Sequence, residues 1–284
     1  MTIQWFPGHM AKAKREVSEQ LRHVDFVMEL VDARVPRSSQ NPMLQDILQQ
    51  KPKFVILMKK DLADREETKK WIAYFKNKSI PAIAVNINNK GDIQRIVQTA
   101  KQFSEEKSAK FKAKGIQSRA IRAMILGIPN VGKSTLINRL ANKKIAETGD
   151  RPGITRHQQW IKVKGGLEIL DTPGILWPKF EDEQVGYRLA AIGTIKDHLI
   201  PMQDVAAFLI QYMMRHYPGR LEERYKAELM IDDMWETFTA IGKKRGALER
   251  GGRVNFDKVA EIVLRDLRTG KLGNITLERV TNEE

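Results

Sequence analysis

Short apolar runs alternate with longer amphipathic stretches over roughly the first 175 residues of the chain. Six of the apolar runs predict β-strands, at residues 25–31, 53–58, 82–85, 122–126, 159–163 and 167–170. Helical spacing between them predicts helices near residues 10–22, 40–50, 65–78, 92–112 and 133–142. Strands that alternate with helices indicate an α/β domain with a mainly parallel sheet.

The pattern changes after about residue 180, where only helical spacing remains. Residues 204–217 are a helix candidate, and one apolar helix face consists of Phe256, Val259, Ala260, Val263 and Leu267. These side chains recur at the three- and four-residue intervals of an amphipathic helix. The sequence therefore predicts two domains, an α/β domain at residues 1–178 and a smaller all-helical domain at residues 179–284.

The composition narrows the class of protein. The chain has 284 residues, of which 42% are hydrophobic and 30% charged, as in a folded globular protein. It contains no cysteine, which excludes disulfides and cysteine nucleophiles, and its five histidines do not have the spacing of a zinc site. No apolar run approaches a membrane span, and the amino terminus does not resemble a signal peptide, so we expect a cytoplasmic protein without a membrane anchor.

The net charge of +14 predicts an anionic partner. A surface with this excess of lysine and arginine attracts polyanions, because phosphate contacts release counterions. Nucleic acid is the first candidate and an anionic membrane the second. The alternative is a basic, solvated surface without a specific partner.

Residues 127–134, GIPNVGKS, match the phosphate-binding pattern G-x-x-x-x-G-K-[ST] between a predicted strand and a predicted helix. Its glycines allow backbone N–H groups to converge on phosphate oxygens. Lys133 supplies a cation for the β and γ phosphates, and the Ser134 hydroxyl can bind Mg²⁺. We refer to these residues as the P-loop.

Two further segments have the residue types of γ-phosphate sensors. DTPG at residues 171–174 follows a predicted strand, where Asp171 can hold a Mg²⁺-bound water and the Gly174 N–H can contact the γ phosphate. The polar segment 148–155 ends in Thr155, whose hydroxyl can complete the magnesium shell when the γ phosphate is present. Without the P-loop, these segments would be an ordinary turn and an ordinary surface loop.

Base recognition is predicted for two strand ends that precede the P-loop. In MKKD at residues 58–61, Asp61 offers two acceptor oxygens to the two neighbouring donors of guanine, a pair that adenine lacks. The Lys59 stem can cover the base, and Asn86 or the backbone beside it can face its other edge. The predicted nucleotide site comprises Met58, Lys59, Lys60, Asp61, Asn86, Ile87, Asn130, Val131, Gly132, Lys133, Ser134, Thr135 and Gly174.

The order of these motifs is a circular permutation of the usual GTPase order, in which the phosphate loop comes first. Cutting a fold in a surface loop and joining its termini leaves the same sheet with a different start. The chain resembles the bacterial ribosome biogenesis GTPase A family. The resemblance is carried by WFPGHMAKA (5–13), VDARVP (31–36), MKKD (58–61), GIPNVGKSTLINRL (127–140), DRPGIT (150–155) and LDTPGILWPKFED (170–182).

This resemblance implies a potassium-stimulated GTPase with a P-loop sheet that binds the large ribosomal subunit and its RNA late in assembly and leaves after hydrolysis. GTP, Mg²⁺ and K⁺ are the expected ligands, with Asn130 as the implied potassium ligand. Ser134, Thr155 and, through water, Asp171 are the predicted magnesium ligands. We expect neither DNA nor a membrane as a partner. Because the chain runs from Gly174 directly into the helical domain, loss of the γ phosphate would move that domain.

Two residues depart from the usual pattern. Met58 stands where the family and most GTPases have asparagine, which predicts weaker guanine binding. Ile175 follows Gly174, where a Ras-like enzyme has the glutamine that orients the attacking water, so hydrolysis should be slow in isolation. His9 or a potassium ion at Asn130 would supply the missing function, whereas a simple capping or packing role is the alternative for His9. The predicted catalytic residues are His9, Lys133, Thr155 and Gly174.

The sequence is compatible with three functions. The first is a GTP-hydrolysing assembly factor, and the second is a nucleotide-gated RNA-binding or scaffold protein with incidental hydrolysis. Ile175 and Met58 favour the second mildly. The third is a P-loop kinase or ATPase, against which Asp61 and the permuted order argue.

Overall fold

A computed structural model describes the backbone of residues 8–48, 51–113, 120–145, 159–163, 166–177, 180 and 182–280. Within these ranges, side chains are described except at residues 8–14, 46 and 104–113.

A six-stranded sheet forms the centre of the protein, with the spatial order β3-β2-β1-β4-β6-β5. Its strands are β1 (Phe26–Asp32), β2 (Lys53–Met58), β3 (Ala82–Val85), β4 (Ile121–Gly127), β5 (Gln159–Val163) and β6 (Leu167–Asp171). All neighbouring strands are parallel except β5, which pairs with β6 in the antiparallel direction. The parallel strands are rich in Val, Ile, Leu and Met, as expected of strands covered on both faces.

Ten α-helices lie within the described part of the chain. In chain order they are α1 (Gly8–Leu21), α2 (Pro42–Leu48), α3 (Arg65–Asn77), α4 (Lys90–Ala113), α5 (Lys133–Ala141), α6 (Glu183–Ala191), α7 (Met202–His216), α8 (Arg220–Tyr225), α9 (Met234–Arg245) and α10 (Phe256–Arg268). Polar side chains cap the N-termini of several of these helices. The Asp64 carboxylate accepts from the first turn of α3, and the Asn255 side chain does so for α10.

The strand register aligns the carboxyl ends of four strands at one edge of the sheet. Asp32 at the end of β1 lies beside Met58, the last residue of β2, and Met58 lies beside Val85 of β3. On the other side of β1, Leu30 pairs with Gly127, the last residue of β4. Segments that follow these strands are therefore neighbours, whatever their order along the chain.

Alternate residues of β1 face different cores. Phe26, Met28 and Leu30 belong to a large cluster that continues into the helices after residue 183. Val27 belongs to a second cluster beneath α1 and α2, and Val31 to a third that includes Trp71 of α3. The sheet and the carboxyl-terminal helices thus share continuous apolar packing.

The structure confirms the predicted fold class. Each predicted strand and helix before residue 145, and both later strands, lies within two residues of an observed element, and the permuted sheet is followed by a helical part. Among the described helices, none has both the length and the apolar character needed to cross a bilayer. The division at residues 178 and 179 stays a prediction.

Candidate functional site

The P-loop connects the end of β4 to the start of α5 and depends on its glycines. A Cβ on Gly127 would lie 2.7 Å from the Leu30 carbonyl oxygen, so a side chain is excluded there. Gly132 has φ +107°, in the left-handed region that favours glycine. Asn130 also has a positive φ of 60°. These residues form a tight turn that directs the chain into the N-terminus of α5, where anionic groups are favoured.

The Lys133 ammonium is held inside this turn. It donates hydrogen bonds to the carbonyl oxygens of Gly127 at 3.0 Å and Ile128 at 2.9 Å. Burial lowers the pKa of Lys133 to about 8, although the charge of Asp171 opposes the shift. The ammonium is therefore beside the phosphate-binding backbone, and an anionic ligand would favour its charged form.

Asp171 ends β6 beside the P-loop and is 1% exposed. Neither of its carboxylate oxygens has a hydrogen-bond partner among the described residues. Burial raises the pKa of Asp171, whereas the charge of Lys133 acts in the opposite direction. A buried carboxylate with unused oxygens fits a Mg²⁺-bound water, because hard cations prefer oxygen ligands.

Gly174 lies directly against the P-loop. A Cβ there would be 2.8 Å from Pro129 Cα and 3.0 Å from Lys133 Nζ. The next residue, Ile175, donates its backbone N–H to the Gly127 carbonyl oxygen at 3.3 Å. The structure thus brings the DTPG segment and the P-loop together, and a contact between the Gly174 N–H and the γ phosphate stays a prediction.

Lys59 lies in the MKKD segment, residues 58–61, which is predicted to recognise the base, and it contacts the P-loop. Its Nζ donates to the Asn130 carbonyl oxygen at 2.8 Å and lies 3.2 Å from Asp32 Oδ2. Asp61, two residues later, is exposed, and its carboxylate makes no hydrogen bond or ion pair within the described structure. Its two acceptor oxygens are therefore available to a ligand.

Met58 is buried beneath the P-loop. Its side chain is 2% exposed, and its Cε would lie 3.3 Å from a Cβ built on Gly132. The methionine therefore supports the loop through van der Waals contact, where an asparagine would offer hydrogen bonds.

The third segment of the site follows β3. The Asn86 N–H donates to Asp92 Oδ2 at 2.8 Å, and the same oxygen lies 2.6 Å from Lys60 Nζ. Asn88 Oδ1 accepts from Arg139 Nη2 of α5 at 3.2 Å. Ile87, between the two asparagines, packs partly buried against the large core. This segment is therefore joined both to Lys60 and to the helix that follows the P-loop.

Asn130 connects the P-loop to the helical part of the protein. Its Nδ2 donates to the carbonyl oxygen of Gly193, just after α6, at 2.9 Å. Nearby, Val131 is buried, Ser134 partly buried and Thr135 exposed. The side-chain oxygen that the family resemblance implies as a potassium ligand thus belongs to an amide whose nitrogen contacts the helical part.

The sequence interpretation missed a buried ion pair at the end of β1. Arg34 donates from Nε and Nη2 to the two carboxylate oxygens of Asp32, at 2.9 and 2.8 Å. Burial opposes ionisation of Asp32, but the charges of Arg34 and Lys59 hold its pKa well below the usual range. The VDARVP motif contains both residues, yet only the fold shows that Asp32, held by Arg34, also contacts Lys59.

Some predicted residues cannot be compared with the structure. Thr155 and the rest of segment 148–155 lie outside the described residues, and so does the His9 side chain, although the His9 backbone is in α1. Ile175 is described, and it is buried in a cluster with Val17 and Leu21 of α1.

Comparisons with known proteins identify the family. A family model described as "50S ribosome-binding GTPase" matches residues 122–233. Ribosome biogenesis GTPase A of Bacillus pumilus (strain SAFR-032) is 56% identical over 279 residues, covering 98% of this chain and 99% of the relative. The chain belongs to the ribosome biogenesis GTPase A family. The family member from Thermotoga maritima is 30% identical, with 98% and 94% coverage.

Solved structures of the ribosome biogenesis GTPase A family have the same fold. GDP-bound TM YlqF has a TM-score of 0.71 at 26% identity, with 95% of this chain and 100% of that chain covered. GNP-bound YlqF from T. maritima has a TM-score of 0.66 at the same identity, with 94% and 98% coverage. As a ribosome biogenesis GTPase, the protein acts on guanine nucleotide and hydrolyses GTP, which removes the kinase and ATPase interpretations.

Proposed function

We propose that this GTPase binds the large ribosomal subunit during late maturation and is released after GTP hydrolysis. The observation that carries the proposal is the hydrogen bond between Asn130 of the P-loop and Gly193 beside α6. It joins the nucleotide site directly to the helical part. Loss of the γ phosphate can therefore shift the helical part, and with it a surface that docks on the ribosome.

Several of the predicted site residues have a proposed task. Lys133 binds the β and γ phosphates, and the Gly174 N–H contacts the γ phosphate. Ser134, Thr155 and, through water, Asp171 hold Mg²⁺, which neutralises charge that develops on the phosphates. The unused Asp171 oxygens support this assignment. Asp61 selects guanine, while Lys59, Lys60 and Asn86 shape the pocket around it.

Stimulation by potassium and by the ribosome is part of the proposal. Asn130 Nδ2 donates to Gly193, which fixes the plane of the amide and therefore the position of its oxygen, the proposed K⁺ ligand. Ile175 is 8% exposed and apolar, so it does not orient a water molecule. We propose that the attacking water is oriented by another group, which reaches its working position only on the ribosome. His9 of α1 is a candidate for this group.

The helical part provides a surface for ribosomal RNA. Lys243, Lys244 and Arg245 end α9, and Arg250 and Arg253 follow in the loop to α10; all five side chains are exposed. Such a cluster favours phosphate contacts with little sequence readout. Because the proposed partner is the ribosomal subunit, we also propose that the protein acts in the cytoplasm. The division into domains 1–178 and 179–284 assigns nucleotide and RNA binding to different parts of the chain.

A nucleotide-gated scaffold is the second candidate, because Ile175 removes the usual water-positioning group. The two candidates differ in whether the subunit accelerates hydrolysis. We would measure GTP turnover in potassium and in sodium, with and without isolated large ribosomal subunits. The assembly GTPase requires strong stimulation by subunits in potassium, whereas tight binding without stimulation supports the scaffold.

A charge-reversal variant tests the docking surface in the same assay. Lys243→Glu with Lys244→Glu should weaken subunit binding and its salt dependence, since fewer counterions are released. Lys69→Glu with Lys76→Glu, on exposed positions of α3, makes the same change in net charge elsewhere. Equal loss of binding in both double variants would show a nonspecific charge effect and contradict the assigned surface.

A further inference from the structure

The segment after α10 contacts residues 61–64, the part of the connection between β2 and α3 that we name the Asp61 loop. Asn274 Nδ2 donates to the carbonyl oxygens of Asp61 at 3.0 Å and Ala63 at 3.1 Å. The Ile275 N–H donates to the Leu62 carbonyl oxygen at 3.0 Å. Thr276 Oγ1 accepts from the Asp64 N–H at 3.1 Å. Four consecutive loop residues thus have a backbone group bound by residues 274–276.

Residues 274–278, which we name the strap, are themselves firmly held. The Leu277 N–H donates to the Arg34 carbonyl oxygen at 2.7 Å, and Trp71 Nε1 donates to the Glu278 carbonyl oxygen at 3.2 Å. The Glu278 carboxylate accepts from the Ser38 N–H at 2.9 Å. With residues 275–278 buried, the strap is a fixed support for the Asp61 loop.

The strap also contacts the helical part. Arg220 Nη1 of α8 donates to the Asn274 carbonyl oxygen at 2.8 Å. Tyr212 and Tyr217 both direct their hydroxyl groups to the Thr276 carbonyl oxygen, at 3.1 and 3.2 Å. The loop that carries Asp61 is therefore supported by residues more than 200 positions later in the chain. These residues in turn contact α7 and α8 of the helical part.

The Asp61 carboxylate has no side-chain partner of its own in the described structure. The backbone of the loop consequently sets the position of the Asp61 Cα and the direction of the Cα–Cβ bond from which the carboxylate extends. Both bonds from Asn274 end on carbonyl oxygens, which only accept, so the amide nitrogen must face the loop. Asn274 bridges the first and third residues of the loop and thereby limits rotation of the backbone at Asp61.

We infer that Asn274 is a positioning residue for guanine recognition, acting through the backbone of Asp61. The inference rests on the proposed role of Asp61 as the guanine selector. Two carboxylate oxygens must meet two neighbouring donors at once, and this requires a fixed backbone. Loss of the Asn274 bonds should weaken both contacts with guanine and leave the phosphate contacts in place.

The test compares GDP with inosine diphosphate, which lacks the 2-amino group of guanine. Asn274→Ala should weaken GDP binding about five- to tenfold and reduce the preference for GDP over inosine diphosphate. Tyr212→Phe is the matched control, because it removes one hydrogen bond to the same strap without touching the Asp61 loop. The control should keep the wild-type dissociation constants and preference.

A double variant separates positioning from general stability. In the Asp61→Ala background, Asn274→Ala should cause no further loss of GDP affinity, because its effect passes through Asp61. Equal losses in both backgrounds, or an unchanged preference in Asn274→Ala alone, would overturn the inference. If Asp61→Ala itself keeps the wild-type preference, the guanine-selector proposal is wrong and the inference fails with it.

Discussion

The Lys59 ammonium donates a hydrogen bond to the Asn130 backbone carbonyl oxygen at 2.8 Å, across 71 residues of sequence. The same ammonium lies 3.2 Å from Oδ2 of Asp32, the last residue of the neighbouring strand β1. The MKKD segment (58–61) and the P-loop are therefore in direct contact despite the circular permutation. The carboxyl ends of parallel strands lie at the same edge of the sheet, whatever the order of the strands along the chain. This arrangement brings Lys59 and Asn130 together.

Removing the Lys59 ammonium should loosen both segments. We expect Lys59→Met to weaken GDP binding about tenfold, or ~1.4 kcal/mol, because Asn130 and Asp32 lose a charged donor. Lys69→Met, which removes an exposed lysine paired with Glu66 on α3, should leave binding unchanged. Titration with fluorescent GDP measures both. Wild-type affinity in Lys59→Met would contradict a role for this contact.

Replacing Met58 by asparagine should improve guanine-nucleotide binding. The amide would lie beside Gly132 and offer hydrogen bonds to the P-loop, worth about 1 kcal/mol or several-fold in the GDP dissociation constant. Met58→Leu, of similar volume, is the apolar control and should bind as the wild type does. Calorimetric titration decides the question, and an unchanged dissociation constant in Met58→Asn would show that Met58 does not weaken binding.

Asp32 should contribute to stability in a pH-dependent way. Its folded-state pKa lies below the ordinary value of 3.8, so the contribution is complete above that value and is lost as the pH falls. Asp32→Asn leaves Arg34 buried without its partner, which should cost about 3–5 kcal/mol at neutral pH.

Urea unfolding at several pH values measures this contribution. The difference between wild type and Asp32→Asn should shrink as the pH falls below about 4. Asp232→Asn, at an exposed position, serves as the control and should unfold like the wild type. A difference of constant size at all pH values would show that ionisation of Asp32 is not its source.

The local pattern was sufficient to predict the sheet. β2 and β3 have the predicted bounds, because short apolar runs between turn-forming residues are typical of buried strands. β5 also has the predicted bounds, and its buried residues Ile161 and Val163 alternate with exposed ones, as in a strand that is covered on one face. The P-loop could be predicted for a similar reason, since its glycines and lysine are adjacent in sequence. The short helix α8 is harder to predict from the sequence, because six residues make fewer than two helical turns.

The contacts that support the site could not be predicted in this way. Asn274 and Glu278 contact residues more than 200 positions earlier, and no periodicity or composition connects such segments. Arg34 is similarly ambiguous in sequence, where it resembles any surface arginine, yet in the fold it is 1% exposed and paired with Asp32. Tertiary structure alone determines these roles.

Nucleotide selectivity of Asp61→Asn tests the central claim most directly, namely that the permuted segments form one guanine site. Xanthine carries a carbonyl oxygen where guanine has its 2-amino group, so an asparagine amide complements xanthine as aspartate complements guanine. Competition between GDP and xanthosine diphosphate should favour GDP in the wild type and xanthosine diphosphate in Asp61→Asn. Unchanged preference for GDP in the variant would contradict the account, because the base would then be selected elsewhere.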